Sequence, residues 1–367
     1  MMLQIERGED RVISEEGIRA PHVFRLENGT LLLTFHVQAD QHFAKRINLR
    51  SKDNGETWER MPQRNHREMA WGETAGGKIL AYDRDTFEQS PGVYIGAYAV
   101  SEDGGETFGR VECCTVFVDG TSSTDYPVSP AHYPPEDHPL RKFFRPLPSF
   151  YQPIVQKASV RRGFSFWRYL LEEDGRLITA MQGRFHGDVA TRTICVASDD
   201  EGKSWHFVST IAYPHDKRLN GMCEPVMRRV ADGSLLCVIR RGPKEPLAQC
   251  RSTDGGLTWS EPELLPGHGV DPDLLLMSNG VLACTYGRPG LHIMFSEDGC
   301  GYSWGYRTVI GTWGSSAYTG ITELSPGKLL LLYDGRKDDT PGAGRDPEKC
   351  YIGATTVTVN SVPLPTL

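Results

Sequence analysis

The chain has 367 residues, 39% hydrophobic and 24% charged, a balance that suits a soluble globular protein. Its net charge of −7 argues against a partner held by broad electrostatics, so no nucleic acid is expected, although a local basic pocket for an acidic ligand stays possible. No apolar run approaches the length that spans a bilayer, so no membrane association is expected. The N-terminal stretch MMLQIERGEDRVISEEG lacks a basic region followed by an apolar one, so no secretory signal is visible. The nine cysteines are scattered, with only Cys113 and Cys114 adjacent, and give neither a disulfide framework nor a zinc spacing. A cytoplasmic location is the expectation, or a secreted one if a signal has been removed.

Taken in chain order, the sequence alternates two short phrases. One is a turn with Gly leading into an apolar run: Glu27-Asn-Gly29-Thr-Leu-Leu-Leu, Gly76-Gly-Lys-Ile-Leu, Glu173-Asp-Gly175-Arg-Leu-Ile, Asp232-Gly233-Ser-Leu-Leu, Ser278-Asn-Gly280-Val-Leu and Pro326-Gly327-Lys-Leu-Leu-Leu-Leu. Each reads as a hairpin turn entering a buried strand. The other is Ser51-Lys-Asp53-Asn-Gly55-Glu-Thr57-Trp58, with further copies starting at Ser101, Ser198, Ser252 and Ser296, the last one residue longer. Its Ser and Asp side chains bind nearby backbone N–H groups, its Gly supplies a positive φ, and its aromatic residue enters a core between sheets. These turns are structural rather than catalytic. A repeat of this length is the mark of a radial or stacked architecture. Six hairpins and five motifs predict an all-β, six-bladed β-propeller formed by residues 1–367 as one domain, with the N-terminal strands near Leu3–Ser14 pairing with Tyr351–Val359. Between the second and third motifs lies a Pro-rich stretch, about 121–162, read as an inserted loop because Pro is excluded from central strands.

The Ser-x-Asp-x-Gly-x-Thr-Trp turns resemble the Asp-boxes (BNR repeats) of sialidase-type propellers, and several further positions resemble the bacterial exo-alpha-sialidases of that superfamily. Arg19, in Gly17-Ile-Arg19-Ala-Pro21, resembles the family's Arg-x-Pro signature; Arg240 follows Glu224-Pro225 after a strand, a turn and a strand; Arg288 stands in Gly287-Arg288-Pro289. The resemblance makes these three arginines the grip on a substrate carboxylate, work that suits a planar, permanently charged fork. Arg241 competes with Arg240, since neighbours in a strand face opposite ways. Ser315-Ser-Ala-Tyr318-Thr-Gly resembles the segment that bears the family's tyrosine nucleophile, with Glu224 as the carboxylate that activates it. A phenol near its ordinary pKa of about 10 needs such a base. Asp40, eleven residues ahead of the first Asp-box, stands where the family places its general acid; His36 and His42 are rivals for acid–base work.

The rest of the sugar pocket is not legible, with Trp71, Arg84, Asp85, Trp167, Arg168 and Arg184 as candidates. Asp271 and Asp273 could suggest a metal, but two acids alone are weak ligands, and pinning a loop or binding a substrate hydroxyl are the other readings. Neither a metal nor a cofactor is expected. The resemblance implies a glycoside hydrolase of the retaining exo-alpha-sialidase kind, acting on a glycan or other acidic sugar. Two alternatives remain: a lyase or hydrolase for uronic-acid polysaccharides, with His22, His36 or Tyr318 as the lyase's base, and a non-catalytic glycan-binding propeller.

Overall fold

The computed structural model describes residues 2–37, 46–62, 68–118, 138–143, 162–214, 221–242, 244–311, 316–338 and 348–362. Among these residues there are 26 strands and no α-helix. Two short strands come first, β1 (Met2–Arg7) and β2 (Arg11–Ser14). A meander of four follows, β3 (Arg19–Arg25), β4 (Leu31–His36), β5 (Arg46–Ser51) and β6 (Glu59–Arg60), hydrogen-bonded in chain order.

The same plan recurs along the chain. The next antiparallel run is β7 (Glu68–Glu73), β8 (Ile79–Asp83), β10 (Val93–Ser101) and β11 (Glu112–Phe117), with β9 (Asp85–Ser90) added as a hairpin on β10. Then come β12 (Arg162–Glu173), β13 (Arg176–Gly183), β14 (Arg192–Ser198) and β15 (Ser204–Ala212). Two separate sheets follow: β16 (Cys223–Arg229) to β17 (Leu235–Arg240), β18 (Pro246–Ser252) and β19 (Glu263–His268), and β20 (Val270–Leu276) to β21 (Leu282–Gly287), β22 (Leu291–Ser296) and β23 (Gly305–Gly311). The final sheet holds β24 (Thr319–Ser325), β25 (Lys328–Arg336) and β26 (Cys350–Val362), and takes its fourth strand from the N-terminus: β1 pairs antiparallel with β26, Met2 opposite Val362. β2 also lies on β26, with Arg11 opposite Ala354.

Separate blades were expected throughout, but the second and third meanders share hydrogen bonds. β12 pairs parallel with β7 at Arg168↔Ala70, and β11 pairs parallel with β15 at Val116↔Trp205. They form one nine-stranded sheet whose pairing closes through eight strands.

The central strands read as unbroken apolar runs because both faces are covered. In β4 every residue of Leu31–His36 is buried. Leu31, Leu33 and Phe35 pack against Leu330, Leu332 and Ile352 of the last sheet, and Ile178 and Cys195 pack against Met227 and Cys237 of the next. The Asp-boxes staple one end of these sheets. In the first, the Ser51 hydroxyl accepts the Gly55 N–H at 2.7 Å, Asp53 accepts the Thr57 N–H at 2.9 Å, and the Trp58 indole N–H reaches the Gly55 carbonyl at 3.1 Å. Ser51 pairs with Leu31, at the far end of β4 from the Arg19–His36–Arg46 register. The boxes therefore lie opposite the end where Arg19 sits, which agrees with a structural role.

Of the Pro-rich insert, the described part is Arg162 and residues 138–143, where a short 3-10 turn packs against β10 and β11. His138 there is buried 3.5 Å from Asp83, at the Arg19 end of β8.

Candidate functional site

The first strands of the sheets touch one another, and the starts of several are bent. Among the described residues ten non-glycine residues have positive φ, and six of them are Ala20 (54°), Arg168 (62°), Glu224 (48°), Asp271 (46°), Arg288 (60°) and Ala317 (58°). The pairing of β3, β12, β16 and β20 slips at the same places, between Arg19 and His22, Phe166 and Leu170, Cys223 and Val226, and Val270 and Asp273. A bulge adds a residue and re-aims its side chain. Ala20, Glu224 and Asp271 each precede a proline, which offers no N–H to the ladder at the slip. Left-handed non-glycine residues cost of order 1–3 kcal/mol each, and their clustering marks a site worth explaining.

These bends bring Tyr318, Glu224 and Arg240 together. The Tyr318 hydroxyl donates to Glu224 Oε1, and Arg240 Nη1 reaches the same oxygen at 2.6 Å. Glu224 Oε2 accepts the Asp271 N–H at 2.9 Å, while the Glu224 N–H goes to the Gln182 side-chain carbonyl. Tyr318 is anchored through its backbone, its N–H donating to Asp334 Oδ1 at 3.1 Å. The other Asp334 oxygen accepts the Ser316 N–H at 3.1 Å and the Ser316 hydroxyl, so one carboxylate spans the strained Ala317. Arg288 donates to the Ser316 carbonyl at 2.8 Å, and its guanidinium carbon lies 5.9 Å from the Tyr318 ring centroid.

Arg19 begins β3 opposite His36 and is buried. Its neighbour Ala20 packs with Val270 and Tyr318. The arrangement thus joins Tyr318, Glu224 and Arg240 by direct hydrogen bonds, sets Arg288 beside the Tyr318 ring, and brings Arg19 in through Ala20. Arg240 rather than Arg241 reaches Glu224. Asp40 and His42 lie outside the described residues; the strands that flank them end at His36 and Arg46, which pair with each other, and His36 pairs with Arg19.

The charges are strongly coupled. Burial raises the Tyr318 pKa well above that of a free phenol, and the Glu224 and Asp271 carboxylates push it the same way. The phenol therefore keeps its proton and donates it in the hydrogen bond to Glu224. Burial is the largest influence on Arg240 and opposes its charge, but the Glu224 carboxylate, Cys223 and Tyr318 together outweigh it and raise the Arg240 pKa. Such a set can transfer a proton from phenol to carboxylate beside guanidinium groups fit to hold an anion.

Other candidates fall elsewhere. Trp71 belongs to the core, stacked on Phe24 at 6.4 Å between centroids. Arg84 chelates its neighbour Asp85 at 2.9 and 3.0 Å, and Asp85 also accepts the Ser165 hydroxyl at 3.0 Å. Arg184 is half-buried just past β13. His36 is buried, its Nε2 2.8 Å from Arg46, and burial, then Arg168, lowers the pKa of His22. Trp167 and Arg168, candidates for the sugar pocket, are buried instead against Asp271: the indole N–H donates to Oδ1 at 3.1 Å, and Arg168 Nη2 sits 2.7 Å from Oδ2. Asp271 and Asp273, both within β20, flank the buried Arg168 side chain rather than pinning a loop. Among the described residues no group of three or more His, Cys, Asp or Glu could hold a metal ion. Sequence reasoning missed Gln182 and Asp334 altogether; Asp334, in the Tyr-Asp pair that ends an apolar run, carried the only signal.

Residues 163–331 match the family described as a BNR repeat-like domain. No curated protein sequence matches the chain significantly. Among solved structures, a protein of unknown function from Dyadobacter fermentans DSM 18053 is similar at 17% identity and a TM-score of 0.68, over 97% of this chain and 99% of that one. The Hadza microbial sialidase Hz136 is similar at 16% identity and a TM-score of 0.61, over 95% and 68%. An alpha-L-arabinanase from Penicillium chrysogenum, complexed with arabinobiose, is similar at 13% identity and a TM-score of 0.64, over 96% and 98%. At these identities the likeness is one of fold.

Proposed function

We propose that the protein, which matches a BNR repeat-like domain over residues 163–331, is a retaining glycoside hydrolase for a terminal sialic acid or related acidic sugar, with Tyr318 as its nucleophile. We read the four-strand meanders as six blades of a single propeller domain, two of them fused by the β12–β7 and β11–β15 pairings. The observation that carries the functional reading is the hydrogen bond from the Tyr318 hydroxyl to Glu224, made beside Arg240 and Arg288.

In this reading Arg19, Arg240 and Arg288 hold the sugar carboxylate. The Tyr318 oxygen attacks the anomeric carbon as its proton passes to Glu224. The bond to the leaving oxygen breaks, and Asp40 protonates that oxygen; Asp40 is assigned from the sequence resemblance alone. Water then attacks the anomeric carbon of the glycosyl-tyrosine, its proton passing to Asp40 as the bond to the Tyr318 oxygen breaks and Glu224 returns the phenol proton. A neutral phenol is a sensible choice here. A sugar with a carboxylate on its anomeric carbon repels an anionic Asp or Glu nucleophile, and sialidases are the known tyrosine exception among glycosidases. The raised pKa of Tyr318 supports this, since the phenol loses its proton only as it attacks.

The test is a fluorogenic α-sialoside incubated with wild type and with Tyr318→Phe. Release by wild type alone is expected. Full activity in folded Tyr318→Phe would remove Tyr318 from the mechanism. A folded wild type inert on sialosides that forms ultraviolet-absorbing products from uronides would move the reading to a polysaccharide lyase, and binding of glycans without turnover would move it to a glycan-binding propeller.

A further inference from the structure

Beneath the Tyr318–Glu224 pair lies a fully buried charge cluster that the proposed chemistry does not use. Arg168 is its centre. Its Nη2 lies 2.7 Å from Asp271 Oδ2 and donates to two backbone carbonyls, Asp271 at 3.0 Å and Thr319 at 2.8 Å. Its Nη1 lies 3.1 Å from Asp273 Oδ2. That same Asp273 oxygen accepts the Ile321 N–H at 2.9 Å and the Tyr169 hydroxyl at 3.1 Å.

The two carbonyls matter because of what adjoins them. Asp271 is the residue whose N–H holds Glu224 Oε2, and Thr319 is the residue after Tyr318. One guanidinium thus grips the strand that follows Tyr318 and the strand whose Asp271 N–H holds Glu224. Arg168 also opposes the Asp271 charge, which otherwise pushes against ionisation of Tyr318.

We infer that Arg168 is a positioning residue that locks the separation of Tyr318 and Glu224 from inside the fold, without touching substrate. This rests on the reading of Tyr318 and Glu224 given above. Lysine keeps the charge but is a point donor on a flexible stem, so it cannot reproduce the planar fork that bonds both carbonyls while lying beside both carboxylates.

The experiment uses Arg168→Lys, whose folding is checked by near-ultraviolet circular dichroism, with Tyr318→Phe alongside. Two quantities are read: kcat and KM against pH for the glycoside that wild type hydrolyses, and the 13Cζ resonance of Tyr318, assigned by its loss in Tyr318→Phe. The expected result is a folded Arg168→Lys with kcat down about 10²-fold, as a misplacement near 1 Å gives. KM should stay within a few-fold, the pH profile should shift, and the Tyr318 resonance should move. A folded Arg168→Lys with wild-type kcat, pH profile and resonance overturns the inference. If Tyr318→Phe stays active, the functional reading falls, and the resonance alone decides whether Arg168 positions Tyr318. If Arg168→Lys does not fold, Asp273→Asn removes the anchor of Arg168 Nη1 and is read the same way.

Discussion

The Glu224→Gln substitution tests the core of the site, because its effect on each neighbour can be counted. Glu224 Oε1 accepts from the Tyr318 hydroxyl and from Arg240 at 2.6 Å, and Oε2 accepts the Asp271 N–H at 2.9 Å. A carboxamide offers one acceptor oxygen and one NH2 donor. With its oxygen toward Tyr318 and Arg240, the NH2 confronts the Asp271 N–H; flipped, it confronts Arg240 and leaves Tyr318 without an acceptor. Either way a buried donor loses its partner, a cost of about 1–3 kcal/mol in stability. Turnover should suffer more. A general base is worth about 10²–10⁴-fold, or about 2.7–5.4 kcal/mol of barrier at 1.36 kcal/mol per tenfold. The arginine side chains are unchanged, so KM should hold within a few-fold. The assay is steady-state hydrolysis of the fluorogenic glycoside, with urea unfolding to follow stability. Wild-type kcat in a folded Glu224→Gln would refute the general-base role. A rise in KM with kcat intact would instead make Glu224 a support for Arg240, since such a change removes only uniform binding.

Two further outcomes follow from the fold. In Gly287→Ala the new Cβ would meet the Ala317 carbonyl oxygen at 1.7 Å, so the turn that carries Tyr318 must move; kcat should fall by at least tenfold together with stability, and a variant equal to wild type in both would contradict the tight approach. Hydrogen bonds from Thr57, Thr107 and Thr258 hold the carboxyls of Asp53, Asp103 and Asp254 down at about 2. A depressed carboxylate contributes stability above its unfolded pKa, about 3.9, and loses it as pH falls through the folded value. The Asp-boxes should therefore weaken between about pH 4 and pH 2, and a triple Asp→Asn variant at these positions should show a flatter decline in near-ultraviolet circular dichroism over that range.

How much of this was legible depends on the reach of each interaction. The Asp-box closes within eight residues, from Ser51 to Trp58, so residue types at fixed offsets define it completely. The fusion of two meanders through Arg168↔Ala70 joins residues far apart in sequence, and no local pattern announces it. The Tyr318–Glu224 contact spans 94 positions and was reachable only through family resemblance. Arg168 was misjudged for a physical reason: a charged residue is rarely buried unless paired, so a sequence reader sends it to the surface or to a ligand. Its partners Asp271 and Asp273 were in view, but nothing in the sequence pairs them with a residue a hundred positions earlier.

The proline-marked bends offered a signal that spacing alone did not use. Ala20-Pro21, Glu224-Pro225 and Asp271-Pro272 each stand at the start of a first strand, and each residue before the proline has positive φ. Neither carboxylate could meet its partner from a regular strand, because successive side chains would then alternate between the two faces of the sheet. The bend turns the Glu224 and Asp271 side chains along the sheet end instead, toward Tyr318 and Arg168. Strain of this kind persists only where the surroundings over-determine it. Here they do: Asp334 bridges both sides of Ala317, Gln182 holds the Glu224 N–H, and Arg168 grips Asp271 by its carbonyl and its carboxylate. The clamps and the bends are thus one device, and removing a clamp should relax a bend before it unfolds a sheet.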